Sequence, residues 1–141
     1  MASVITNYFK RELFAGGYNL SADTFNCALI SDDISVCATD DIREMDNWTD
    51  ISAMEISGTG YDAGGTELSG TSISVDTANN IVKFDADDVV WSNSSLSARG
   101  AAIYESGSND LMGFIDFGSV KTTNNTAFKI QWHTNGIMIG S

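Results

Sequence analysis

The sequence holds no proline, two cysteines and one histidine, and sets 7 lysines and arginines against 19 aspartates and glutamates. Each scarcity excludes something. Cys27 and Cys37 are too few for a disulfide framework, and no Cys-x-x-Cys spacing offers a zinc site. Cys27 sits in an apolar run and Cys37 in an acidic stretch, so both are expected as reduced thiols. A formal net charge of −12 repels phosphates, because nucleic-acid binding relies on Lys and Arg displacing counterions. The same charge disfavours an anionic membrane surface. No nucleic-acid or membrane partner is therefore expected, whereas docking on basic protein surfaces suits such a chain. No apolar run approaches the ~20 residues of a membrane helix. Lys10, Arg11 and Glu12 interrupt what would be the apolar core of a signal peptide, so synthesis in the cytoplasm without signal-peptide export is expected. The absence of proline removes one common means of blunting edge strands, leaving them free to pair with neighbouring subunits.

Catalytic patterns are equally sparse. His133 is the one histidine, on the polar face of an expected strand, and no Gly-x-Ser-x-Gly elbow accompanies it. Carboxylates are abundant but lie mostly in polar turns, where nothing raises a pKa for acid catalysis. Asp85-Ala-Asp-Asp88 resembles part of a calcium loop but lacks its turn glycine and closing glutamate. The glycine-rich residues 58–65 lack the Gly-Lys-Ser/Thr of a phosphate-binding loop. No catalytic, cofactor-binding or metal-binding residue is assigned, and a non-enzymatic role is expected.

What is present is a core and a strand pattern. Hydrophobic residues make up 43% of the 141, including 7 Phe, 4 Tyr and 3 Trp, enough for one β-rich domain over 1–141. Residues 1–17 read as a helical arm: Ile5, Phe9 and Leu13 form an apolar stripe, Ser3 can cap the start, and Gly16-Gly17 can end the helix. Barely three turns long, this helix needs a surface to lie on, within its own domain or on a neighbour. Residues 31–66 read as a long acidic loop region, the kind of connection that usually makes contacts, with a weak helical signal near Asp40 to Met45. From residue 71 onward, short apolar runs alternate with turn residues. The pattern predicts strands over 71–75, 81–86, 89–91, 97–105, 111–117, 127–133 and 137–139, besides one near Phe25 to Ile30. Asn135-Gly136 is the strongest tight-turn signal and is expected to turn the sixth of these into the last. Seven or eight strands at this spacing predict an all-β fold, an antiparallel β-sandwich or Greek-key barrel-like domain with a short N-terminal helix. Phe25, Leu29, Phe84, Trp91, Ile103, Phe114, Phe128, Ile130 and Trp132 are its expected core.

Five segments, in order after the helix, carry a resemblance. They are Ser-Ala-Asp-Thr-Phe-Asn-Cys-Ala-Leu-Ile (21–30), Glu-Ile-Ser-Gly-Thr-Gly-Tyr-Asp-Ala-Gly-Gly (55–65), Asp-Val-Val-Trp-Ser-Asn-Ser-Ser (88–95), Ser-Ala-Arg-Gly-Ala-Ala-Ile-Tyr (97–104) and Gly-Phe-Ile-Asp-Phe-Gly (113–118). Over nearly its whole length the chain resembles small structural proteins of tailed-bacteriophage virions. The resemblance implies a virion component, foremost a capsid decoration (cement) protein that binds and stabilises the major capsid shell. Its partners would be the major capsid protein or other virion proteins, and its place the capsid exterior. A tail, neck, baseplate or fibre-associated component and a receptor- or carbohydrate-binding module are the alternatives. Repeated attachment around local axes favours a homo-oligomer, with a trimer expected. Aromatic and arginine anchors on termini and loops are the contact candidates: Tyr8, Phe9, Trp48, Tyr61 and Arg99. Each has an equally good reading within the fold. Arg99, surrounded by acidity, is expected to hold a carboxylate, inside the fold or across a contact.

Overall fold

A computed structural model describes residues 3–31 and 44–140. The fold is all-β and antiparallel, sandwich-like, with a short N-terminal helix. Its centre is β2 (Phe25–Ile30), whose residues are apolar on both faces. That composition requires cover on both sides, and the structure provides it. β2 pairs with β7 (Ser97–Glu105) on one edge and with β3 (Thr66–Glu67) on the other. β7 continues to β8 (Leu111–Thr122), and the outer edge of β8 takes β1 (Val4–Ile5), giving the order β1-β8-β7-β2-β3. On one face Phe25, Cys27, Leu29, Ala101 and Ile103 join the main core; on the other Ala28, Ile30, Ala102, Tyr104 and Phe114 join a second one.

Two smaller sheets close the main core. The first is β4 (Ser72–Asp76), β5 (Ile81–Asp85) and β10 (Met138–Gly140), in the order β10-β5-β4. The second pairs β6 (Val89–Ser94) with β9 (Thr126–Ile130). Phe84, Val89, Trp91, Phe128 and Ile130 enter the main core from these sheets. The helix α1 (Asn7–Phe14) lies beside them. An aromatic series runs from Phe9 through Phe25 to Phe84, at 6.2 and 5.8 Å between centroids. Eight of the nine expected core residues are buried, and Trp132 is partly so.

Three expectations are corrected. The helix starts later than its apolar stripe implies. Val4 and Ile5 are strand, Ser3 is no cap, and the cap is Thr6, whose Oγ1 accepts from Phe9 N at 3.1 Å and donates to the Leu111 carbonyl at 2.8 Å. Backbone pairing with β8 outbids a longer helix. The Gly16 end holds, with φ +82°. Second, Asn135-Gly136 does not make a hairpin of β9 and β10. Gly136 does turn the chain, with φ +81°, but the Ile137 amide donates to the Phe84 carbonyl at 2.8 Å and β10 pairs with β5. Third, the acidic region 31–66 is not loop throughout, and within 44–66 the side chains of Trp48, Ile51 and Ile56 are buried. Two 3₁₀ turns, Trp48–Asp50 and Ser52–Met54, place Trp48, Ile51 and Met54 over the second face of the five-stranded sheet. Asn47 caps the first of them in a reciprocal arrangement with Asp50. Cys37 and most of the weak helical signal near residue 40 lie outside the described residues. Cys27 is a fully buried free thiol, its pKa pushed up to about 12 by burial.

Candidate functional site

The five contact candidates fall into different surroundings. Phe9 is fully buried between Tyr18, stacked at 4.7 Å, and Phe25, so its ring is part of the core. Trp48 is buried against Tyr104 in a near-parallel stack, 4.9 Å between centroids and 4° between planes. It fills the second core because the capped turn aims it there. Tyr61 is half-buried: its hydroxyl accepts from the Leu29 amide at 3.0 Å and donates to Glu55 Oε1 at 2.7 Å. Burial foremost, then the Glu55 hydrogen bond, raises the Tyr61 pKa well above the ordinary phenol value. The same Glu55 oxygen accepts from Gly64 N at 2.6 Å, and Tyr104 donates to the Gly64 carbonyl at 2.6 Å. The glycine-rich stretch is thus an internal clamp on β2. Arg99 pairs within the fold, its Nε 3.1 Å from Asp116 Oδ1. Tyr8 remains partly exposed, with the Arg11 guanidinium 4.7 Å over its ring. The structure does not bring these five together.

It exposes another surface instead. On β4 and β5, Ile73 lies opposite Phe84 and Val75 opposite Val82. Opposed pairs share a face and alternate residues return to it, so all four side chains line one side of the hairpin. Phe84, at the base, is buried; Ile73, Val75 and Val82 are 46%, 69% and 44% exposed. The apolar face therefore runs past the core and overhangs it. The hairpin is not loose at its tip, because Asp76 accepts from the Asn79 amide at 3.2 Å and from its side chain at 2.9 Å. Lys83 Nζ lies 3.2 Å from the same carboxylate. The Asn79 side chain first, then Lys83, lowers the Asp76 pKa. Sequence reading found both strands, but alternation reports which residues share a face, not whether anything covers it.

A second feature is a groove of about 610 Å³ between the distal half of β8 and β9. These strands are consecutive, yet β8 pairs with β7 and β9 with β6, so they separate after the turn at residues 123–125. Phe117 packs on Phe128 at 6.1 Å. Trp132, its indole N–H donating to the Asp87 carbonyl at 2.9 Å, lines the floor. Lys121, Lys129 and His133 also line it. Lys129 Nζ lies 3.1 Å from Asp88, whose pKa is lowered by that contact first and by the Trp132 amide next.

The chemistry-bearing residues of the sequence are dispersed. His133 is exposed, its Nδ1 accepting from Asn135 N at 3.1 Å. Asp85 accepts from the Ala86 amide, Asp87 from Ser69 Oγ, and Asp88 engages Lys129 and the Trp132 amide, so the calcium-like run does not converge. Among the described residues no three His, Cys, Asp or Glu side chains group as metal ligands, and no helix is long and apolar enough to cross a membrane. Compared with known proteins, the chain matches no family model, no curated protein and no solved structure.

Proposed function

We propose that this chain is a non-enzymatic virion structural protein, a capsid decoration protein that binds the outside of a phage shell through protein–protein contacts and associates with copies of itself as a trimer. The observation that carries the reading is the overhanging hairpin. Ile73, Val75 and Val82 present an apolar strand face to solvent on a hairpin whose tip is hydrogen-bonded and ion-paired internally, and contiguous exposed apolar surface marks interaction sites. The particle comes from the resemblance to small virion proteins read in the order of the sequence segments. The aromatic on which a sugar-binding role would rest, Trp48, is sealed against Tyr104, which favours protein contacts over glycan recognition.

The test is a count and a substitution. Quantified proteins of purified particles are expected to contain this chain at copy numbers comparable with the shell protein. A dozen or fewer copies would place it in the tail or neck, and its absence would end the proposal. Val75→Lys with Val82→Lys is expected to abolish occupancy of particles while circular dichroism of the isolated chain stays unchanged. Native mass spectrometry of the assembled form reads the trimer directly.

A further inference from the structure

The groove between β8 and β9 has a composition the rest of the chain does not share. Acidic residues number 19 in 141, yet none of the residues lining the groove is an aspartate or glutamate, while two of the chain's seven cations, Lys121 and Lys129, and its single histidine are there. Ile115, Phe117 and Trp132 give it an apolar floor. Its wall on one side is a strand edge. β9 pairs only with β6 among the described strands, so its other edge presents backbone N–H and C=O groups without a ladder partner, a template for an added strand. The facing edge of β8 is a poorer template: Gly118 takes φ +80°, and the amides of Asp116 and Gly118 are taken by Ser3 Oγ and Asp116 Oδ1. None of the exposed hairpin residues lines this groove, so it is a separate surface.

We propose that this groove is a docking site for an extended acidic segment of a partner protein, which lies along the open edge of β9 as an added strand and sets its carboxylates against Lys121 and Lys129. Alternation makes the two halves of the recognition compatible. In an extended segment every second side chain faces the apolar floor, and those between reach the rim. Lys121 makes no ion pair with the described residues, and Lys129 exchanges one exposed carboxylate, Asp88, for another. A nucleic-acid strand fits less well, because its backbone carries no alternating N–H and C=O groups to pair with the open edge of β9.

The probe is an end-blocked synthetic peptide of about eight residues, a typical strand length, alternating glutamate with valine, titrated into the full chain by calorimetry. It is expected to bind, more weakly as salt rises, whereas the same peptide with lysine for glutamate does not. N-methylation of alternate peptide amides in one phase is expected to abolish binding, since it removes the donors facing β9. Lys121→Glu with Lys129→Glu is expected to weaken binding about ten-fold, as two partly exposed pairs would. It should also create affinity for the lysine peptide, which a merely misfolded variant would not show. Equal binding of both peptides, indifference to N-methylation in both phases alike, or a single-stranded oligonucleotide that displaces the acidic peptide would each overturn the proposal.

Discussion

Gly65 and Gly118 share a left-handed φ of +80° but have very different surroundings. A Cβ at Gly65 would lie 2.0 Å from the Cys27 carbonyl oxygen, whereas at Gly118 nothing lies within 4 Å. Gly118→Ala is therefore expected to cost only the left-handed conformation, about 1 kcal/mol. Gly65→Ala must in addition push the clamp off β2 and loosen the Glu55–Tyr61–Gly64 hydrogen bonds, so it should cost clearly more; urea unfolding of the two variants side by side measures the difference. Asp116 gives a pH-dependent counterpart. Burial opposes its ionisation, but the Gly118 amide and the Arg99 guanidinium outweigh it and lower its pKa below the ordinary 3.8. A carboxylate whose folded pKa is depressed contributes stability that is present above its unfolded pKa and lost as pH falls through the folded one. The stability gap between the native chain and Asp116→Asn should therefore be widest above about pH 4 and close as the solution is acidified further. A gap that persists unchanged at low pH would mean that shape, not charge, holds Arg99 in place.

At the scale of elements, the β4–β5 hairpin separates two roles that one strand pattern cannot. Phe84 and Val75 lie on the same face, but only Phe84 is covered, 2% against 69% exposed. Phe84→Ala should lose about 3–5 kcal/mol of stability as a cavity opens among Phe25 and its neighbours. Val75→Ser should stay within about 0.5 kcal/mol, so that any effect it has on assembly is a contact effect. This is also where the sequence stops being legible. Its periodicities gave β7 with both ends right and located β4, β5, β6 and β9 within about three residues at each end, but stopped β8 at Phe117 where it runs on to Thr122, because side-chain alternation is a local property. Ile30 and Ala28 opposite Phe25 and Leu29 already required cover on two faces. What covered them was out of reach: Trp48 comes from an acidic stretch whose polarity masks its capped turn, and β1 owes its strand conformation to a partner over a hundred residues away. The same holds for β10, whose partner is set by β5 rather than by the tight turn before it. Of the contact residues named from sequence, Phe9 and Trp48 went inward because large aromatics near a sheet serve the core first. The hairpin face and the lysines of the groove carried no local signal beyond two cations on successive strands of an acidic chain.

For the whole molecule, salt acts on the two surfaces in opposite directions, because the net charge of −12 opposes self-association whereas Lys121 and Lys129 attract an acidic segment locally. Copies of the chain repel one another at long range, and the apolar hairpin must overcome that repulsion for them to associate. At an ionic strength near 0.15 M the screening length is about 8 Å, so added salt removes most of the repulsion between exposed charges while leaving apolar burial intact or strengthened. Self-association through Ile73, Val75 and Val82 should therefore rise with salt. Docking of an acidic segment against Lys121 and Lys129 is attraction between unlike exposed charges and should fall with salt. Sedimentation velocity of the chain alone, beside peptide titration across the same salt series, reads both trends on one sample. Self-association that weakens as salt is added would show that copies meet through ion pairs instead of the hairpin face. The Val75→Lys, Val82→Lys chain, which keeps the groove and loses the apolar face, should then remain monomeric at every salt concentration while still binding the acidic peptide.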